Sequence, residues 1–264
     1  MSPVHLILAS TSPYRQALLE RFNLPFSVCA PEIDETPLPG ETPSQLVLRL
    51  SEAKARAVAQ QVGAVLSEAL TLHSLSPLPP SQPSSKGGRS PIPSPSGGGL
   101  GWGLAVQECA PLNQKRSDDS PRVLIIGGDQ VADSGGVAVG KPGNFDNARK
   151  QLRTLSGKTV IFRTGLALFN PQAGRCRSVR VDIATTYRVL TDAEIEAYLH
   201  AVQPYNCAGA VRSEDLGIAL FERIDNDDPT ALIGLPLIAL ARLLRAEGVN
   251  PLLHQPPLIS HSAP

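Results

Sequence analysis

Short continuous apolar runs alternate along this chain with stretches in which apolar residues recur every three or four positions, and the alternation predicts a mixed α/β fold. Val123 to Ile126 is unbroken Val, Leu and Ile, the pattern of a strand covered on both faces. Gly127-Gly128 is expected to stop it, and a backbone without Cβ there lets another group approach closely. Ser134-Gly135-Gly136 then predicts the turn of a short hairpin between Val131 and Val137 to Val139. Val4 to Ala9 reads as another strand and Phe26 to Cys29 as a short one. Val160 to Phe169 and Val179 to Leu190 read as two long strands joined at Asn170 to Gly174, and Ile218 to Ile224 as the last.

Capping residues mark where the helices start. Ser12 followed by Pro13 predicts a helix to about Phe22, and Thr42-Pro43-Ser44-Gln45 has the form of a capping box opening a long helix to about Leu66. Asn144 opens a helix to about Leu155 and Thr191 one to about Val202. Thr230 to Ile233 and Pro236 to Glu247 are expected as closing helices separated at Gly234. In the long helix Val47, Leu50, Ala57 and Val58 fall at helical spacing, and Lys54 shares their stripe. A lysine on a buried face either snorkels to water or meets an anion, and the pattern leaves both readings open.

Composition changes the picture between residues 67 and 121, where Pro, Gly and Ser dominate. Such a segment cannot bury enough apolar surface to offset its ordering entropy, so it is expected as a disordered insertion carrying the single tryptophan, Trp102. Residues 1–66 and 122–251 then form one α/β domain, with 252–264 as a flexible tail. The 24 acidic and 24 basic side chains balance, which argues against a nucleic-acid or membrane-surface partner. No stretch approaches the ~20 apolar residues of a membrane span, and the start lacks a basic region ahead of a long apolar one, so a cytoplasmic protein is expected. The four cysteines, Cys29, Cys109, Cys176 and Cys207, are scattered and read as reduced thiols.

Candidate chemistry gathers at three places. Asp129 and Lys141 stand near the ends of the strand and its hairpin, where a carboxylate and an ammonium beside a glycine-framed opening suit phosphate chemistry; a solvated surface turn is the other reading. The amides at the start of the first helix, with the Ser10 and Thr11 hydroxyls, make a local anion site. Arg15 in that first turn opposes the helix dipole, which makes sense if an anion sits between them, the alternative being an arginine directed to solvent. Glu32, Asp34 and Glu35 crowd three acids into four positions, which invites a hard divalent cation or marks a solvated loop.

These segments carry a family likeness. Leu-Ala-Ser-Thr-Ser-Pro-Tyr-Arg at 8–15, Asp-Glu-Thr-Pro at 34–37, Glu-Ala-Lys-Ala at 52–55, Gly-Gly-Asp-Gln-Val at 127–131, Gly-Lys-Pro at 140–142, Leu-Ser-Gly-Lys at 155–158 and Ile-Gly-Leu-Pro at 233–236 resemble, in order, the motifs of the Maf family of nucleotide pyrophosphatases. Gln130 after the aspartate and Glu214 in Arg-Ser-Glu are similar to the branch that hydrolyses 7-methyl-GTP, whereas the dTTP/UTP branch has Thr and Gln in those places. Position 128 is Gly where this branch more often has Ser, and position 14 is Tyr where Trp is common. The resemblance implies a Maf/ITPase-like mixed, elongated α/β sheet flanked by helices with a central cleft. It also implies hydrolysis of a nucleoside triphosphate to monophosphate and diphosphate with a divalent cation, Mg2+ or Mn2+. By the same resemblance Asp129 is the proton acceptor and a metal ligand with Glu35; Ser10, Arg15, Lys54 and Lys141 hold phosphates; and Tyr14, Gln130 and Glu214 lie near the base. The partner is a small-molecule nucleotide, with a homodimer as one assembly. An unmodified nucleotide such as dTTP or UTP is the alternative substrate, and a non-catalytic, nucleotide-binding regulator of septum formation is the rival role.

Overall fold

The computed structural model of the chain describes residues 4–74 and 122–253. The expected insertion beyond Ser74, with Trp102 and Cys109, and the tail beyond Leu253 lie outside the described residues. The elements run β1 (Val4–Ala9), α1 (Pro13–Glu20), β2 (Phe26–Cys29), α2 (Pro43–Ser74), β3 (Arg122–Ser134), β4 (Val137–Val139), α3 (Phe145–Leu155), β5 (Thr159–Asn170), β6 (Arg175–Tyr187), α4 (Asp192–Val202), β7 (Phe221–Asp225) and α5 (Leu237–Ala246). Seven strands make one mixed sheet in the order β2-β1-β3-β5-β6-β7, with β4 pairing β3 off that path. β1 is parallel to both β2 and β3, while β5 runs antiparallel to β3, β6 to β5 and β7 to β6. The α/β sheet flanked by helices is as expected.

The continuous apolar runs follow from cover on both faces. Alternate side chains point to opposite sides of a strand. Leu6, Leu8, Leu124 and Ile126 therefore pack with Leu18 and Leu19 of α1 and Leu240 and Leu244 of α5. Ile7, Ala9, Val123 and Ile125 pack with Ala55 and Val58 of α2 on the other side. Further along, α3 and α4 close a third cluster around Phe162, Ile183 and Tyr198.

Four expectations about elements need correction. Gly127-Gly128 does not stop the central strand, because both residues pair with β5, opposite Ala167 and Leu166. The glycine at 127 serves close packing instead: a Cβ there would run into the Ser51 carbonyl of α2, and one at Gly165 on β5 would run into that of Val47. α2 continues past Leu66 to Ser74, since Ser67 to Ser74 contains no Pro or Gly to end it. The expected strand from Ile218 opens instead as a 3-10 helix, Leu216–Leu220, whose first amide is capped by Asp215 at 2.7 Å, and only Phe221–Asp225 is extended. Thr230 to Ile233 is a turn, because the Ala231 and Leu232 carbonyls are taken by side chains of the sheet. The capping residues Ser12, Thr42, Asn144 and Thr191 act where the sequence places them. So does the Gly135-Gly136 turn, with both residues at positive φ. Cys29, Cys176 and Cys207 form no disulfide with one another. Among the described residues no helix is long and apolar enough to cross a membrane.

Candidate active site

The site forms where β1 and β3 end side by side, Ala9 pairing with Gly127. Beyond that pair β1 gives way to Ser10 and the start of α1, while β3 carries on into Asp129. A cleft of about 840 Å3 opens there, within the usual range for small-molecule pockets of ~300–1,000 Å3. Ser10, Tyr14, Arg15, Glu35, Lys54, Asp129, Gln130, Lys141 and Glu214 all face it, so the residues that the family resemblance singles out line one cavity; of the three clustered acids Glu32, Asp34 and Glu35, only Glu35 does.

Lys54 sits at its centre. The α2 stripe buries the lysine to 5% exposure, and its Nζ donates to Asp129 Oδ1 at 2.7 Å and pairs with Glu35 Oε1 at 2.9 Å. The lysine meets anions rather than snorkelling. Asp129 is itself only 8% exposed, so the pair offsets for each partner the cost of leaving water. Burial works against the Glu35 carboxylate, but the Lys54 hydrogen bond and charge, with Lys141 and Arg15 behind them, outweigh it and hold its pKa below the usual value.

Arg15 turns inward, not to solvent. Its Nε donates to the Gly234 carbonyl at 2.8 Å and its Nη1 to Ser10 Oγ at 3.3 Å. Burial pulls the guanidinium below its ordinary pKa, and the Asp129 and Glu35 charges pull against that. The carbonyl it uses belongs to a loop fixed at both ends. On one side Asp228 Oδ2 accepts from the Ile238 and Ala239 amides at the start of α5, and Thr230 Oγ1 accepts from Leu237 N. On the other, Thr164 Oγ1 donates to the Ala231 carbonyl at 2.9 Å. Gln130 Nε2 donates to Ala231 O at 2.8 Å, Leu232 O at 3.1 Å and Thr164 Oγ1 at 3.0 Å. Sequence reasoning missed Thr164, Asp228 and Gly234 as supports of this wall; only the Ile-Gly-Leu-Pro motif at 233–236 pointed there.

The far end of the cleft is aromatic and acidic. The Arg212 guanidinium carbon lies 5.2 Å from the centre of the Tyr14 ring, a cation–π contact that joins α1 to the loop before the 3-10 helix. The Arg212 amide donates to Tyr198 Oη at 3.0 Å, which fixes that loop on α4. Burial raises the Glu214 carboxyl above its usual pKa, with Arg212 opposing.

A family profile described as Maf-like protein matches residues 5–247, nearly the whole chain. The chain belongs to the Maf family. Relatives within it include proteins named 7-methyl-GTP pyrophosphatase. That of Paraburkholderia xenovorans (strain LB400) is 44% identical over 246 residues, covering 93% of each chain. That of Polaromonas sp. (strain JS666 / ATCC BAA-500) is 42% identical over 244 residues, 92% of this chain and 85% of that protein. That of Burkholderia thailandensis is 42% identical over 243 residues, 92% and 87%. As in the Maf motifs, Ser-Thr-Ser, Asp-Glu-Thr, Glu-Ala-Lys and Gly-Gly-Asp-Gln lie far apart in sequence, and the fold brings all four to the walls of a single cleft.

Proposed function

We propose that this Maf-family chain is a nucleoside triphosphate pyrophosphatase that hydrolyses 7-methyl-GTP to 7-methyl-GMP and diphosphate. The observation that carries the reading is Lys54 bridging Asp129 and Glu35 on the floor of a cleft whose walls hold Arg15 and Lys141. A triphosphate brings about four negative charges, and three cations around two carboxylates suit its neutralisation while leaving a base in place. Ser10, Arg15 and Lys141 hold the phosphate chain, and Lys54 orients Asp129. Water attacks the α-phosphorus, its proton passes to an Asp129 carboxylate oxygen, and the bond from the α-phosphorus to the bridging oxygen breaks to release diphosphate.

The residues fit a divalent cation. Lys54 engages one oxygen of each carboxylate, which leaves the other oxygens of Asp129 and Glu35 as the hard donors that Mg2+ or Mn2+ takes. Among the described residues no cluster of three His, Cys, Asp or Glu is present, so Asp129 and Glu35 are the carboxylates that would hold such an ion. When bound, the ion neutralises phosphate charge and lowers the pKa of a coordinated water.

At the base end, Tyr14 offers a ring face and Glu214 a carboxylate. Methylation at N7 makes guanine cationic, and the cation pairs with the Glu214 carboxylate on the cleft wall. The cytoplasm, with its nucleotide pool, is the setting that goes with this substrate. A panel of 7-methyl-GTP, GTP, dTTP and UTP, with Mg2+ or Mn2+ and diphosphate detection, tests the reading. The expected result is highest kcat/KM on 7-methyl-GTP. A preference for an unmodified nucleotide overturns the substrate, and binding without release of diphosphate from any of them overturns the activity.

A further inference from the structure

Gln130 follows the candidate base Asp129 on β3 and faces the cleft, yet its amide nitrogen is already committed. A carboxamide NH2 carries two hydrogens, and three acceptors surround this one: Thr164 Oγ1, Ala231 O and Leu232 O, all within 3.1 Å. None of its donor capacity remains for a nucleobase. Those acceptors belong to, or brace, the loop that two residues later presents the Gly234 carbonyl to Arg15 Nε at 2.8 Å. Thr164, fully buried on β5, donates to the same Ala231 carbonyl. Gly234 packs close as well: a Cβ there would lie 3.5 Å from Arg15 Nε. A continuous chain of hydrogen bonds thus runs from Gln130 and Thr164 through residues 231–234 to the guanidinium. The Gly234 and Ser10 bonds hold Nε and Nη1 of that guanidinium, so the loop helps decide where its remaining N–H groups point.

We propose that Gln130 and Thr164 are positioning residues for Arg15, acting through the Ala231–Gly234 loop, so that Gln130 sets the affinity for the triphosphate. This rests on the pyrophosphatase reading, but the linkage itself concerns a polyphosphate and can be measured without any base. Gln130→Glu replaces the NH2 by an oxygen that faces two carbonyls, so the loop loses its tie and Arg15 its fixed direction.

The test measures binding of tripolyphosphate by calorimetry and steady-state kinetics on 7-methyl-GTP and GTP. The variants are Gln130→Glu, Thr164→Val and Thr164→Ser, each with its melting temperature. The proposal expects tripolyphosphate affinity to fall about tenfold in Gln130→Glu, a loss of the size of one weakened charged hydrogen bond. KM should rise on both nucleotides. Thr164→Val should show the same change in smaller measure, and Thr164→Ser, which keeps the hydroxyl, should restore it. A changed ratio of 7-methyl-GTP to GTP with unchanged tripolyphosphate affinity overturns the proposal and returns Gln130 to base reading. A lowered melting temperature with unchanged affinity and KM in folded protein also overturns it, leaving the bonds a purely structural role. Failure of the wild-type protein to hydrolyse 7-methyl-GTP would instead defeat the substrate reading, and the tripolyphosphate measurement would still decide the linkage.

Discussion

Lys54 and Arg15 each left two readings open in the sequence, and for the same physical reason. The partner that decides each lies far along the chain: Asp129 for the lysine, the Gly234 carbonyl for the arginine. Local spacing shows that a cation lies on a buried face; it cannot show which anion or carbonyl the fold brings to meet it. Asp129 was legible because it stands alone after an apolar run, whereas Thr164 sits in a strand where its hydroxyl looks like any β-branched residue. At this scale Asp129→Asn keeps the shape and an oxygen for Lys54 but removes the proposed proton acceptor. Turnover should fall ~100-fold or more while the circular dichroism spectrum stays native; a folded variant with normal turnover takes Asp129 out of the mechanism. Glu214→Gln should leave the phosphate site intact and lower the preference for 7-methyl-GTP over GTP by ~10-fold, the scale of a charge-assisted hydrogen bond. An unmoved ratio would mean that Glu214 points past the base.

Elements were legible where the signal is local and misread where a side chain from elsewhere takes over. The capping box at Thr42 closes as expected, with Thr42 N donating to Gln45 Oε1 at 3.0 Å and Gln45 N to Thr42 Oγ1 at 3.3 Å. The Thr230 segment looked helical because nothing near it in sequence announces that Gln130 and Thr164 will claim its carbonyls. The glycines at 127 and 165 were ambiguous for a related reason, since a strand-ending glycine and a helix-admitting one look alike without the helix. Here α2 lies directly on both, and this contact sets the height at which Lys54 enters the cleft. Gly127→Ala should therefore push α2 away at a cost of ~1–3 kcal/mol or more, the range for overpacked cores. Urea unfolding would register the loss, and kcat should fall with it even where the protein remains folded, because the Lys54 to Asp129 distance grows. An alanine tolerated without change in either quantity would show that α2 does not press on the sheet.

On the scale of the whole molecule, the α/β class and the single cleft were readable from the pattern of runs and the motifs, while the brace at the opposite end was not. Glu247, after α5, is buried and receives Arg175, Arg177 and Asn170 from the β5–β6 hairpin, so it ties the last helix to the far end of the sheet. Burial opposes its charge, but those donors prevail and hold its pKa down to about 2. A carboxyl depressed in the folded state contributes stability that is complete above its unfolded value of about 4.5 and fades as pH falls toward about 2. Glu247→Gln should lower unfolding free energy at neutral pH by about 1–2 kcal/mol, and the gap between variant and wild type should close across that acid range. A gap that is independent of pH would rule out the charge as the cause. The parallel pairing of β1 with β3 has a consequence of another kind. Val4 pairs with Arg122 and Ala9 with Gly127, so β1 leaves a ribosome more than a hundred residues ahead of its central partner. At synthesis rates of ~5–20 residues per second, that is an interval on the order of ten seconds during which Leu6 and Leu8 have no sheet to enter. A nascent chain arrested before Arg122 emerges should bind a hydrophobic dye and be cut readily by protease within its first thirty residues, and both signals should vanish once β3 and β5 are out. The floor of the cleft, shared between those early and late strands, cannot come into being until about half of the chain has been made.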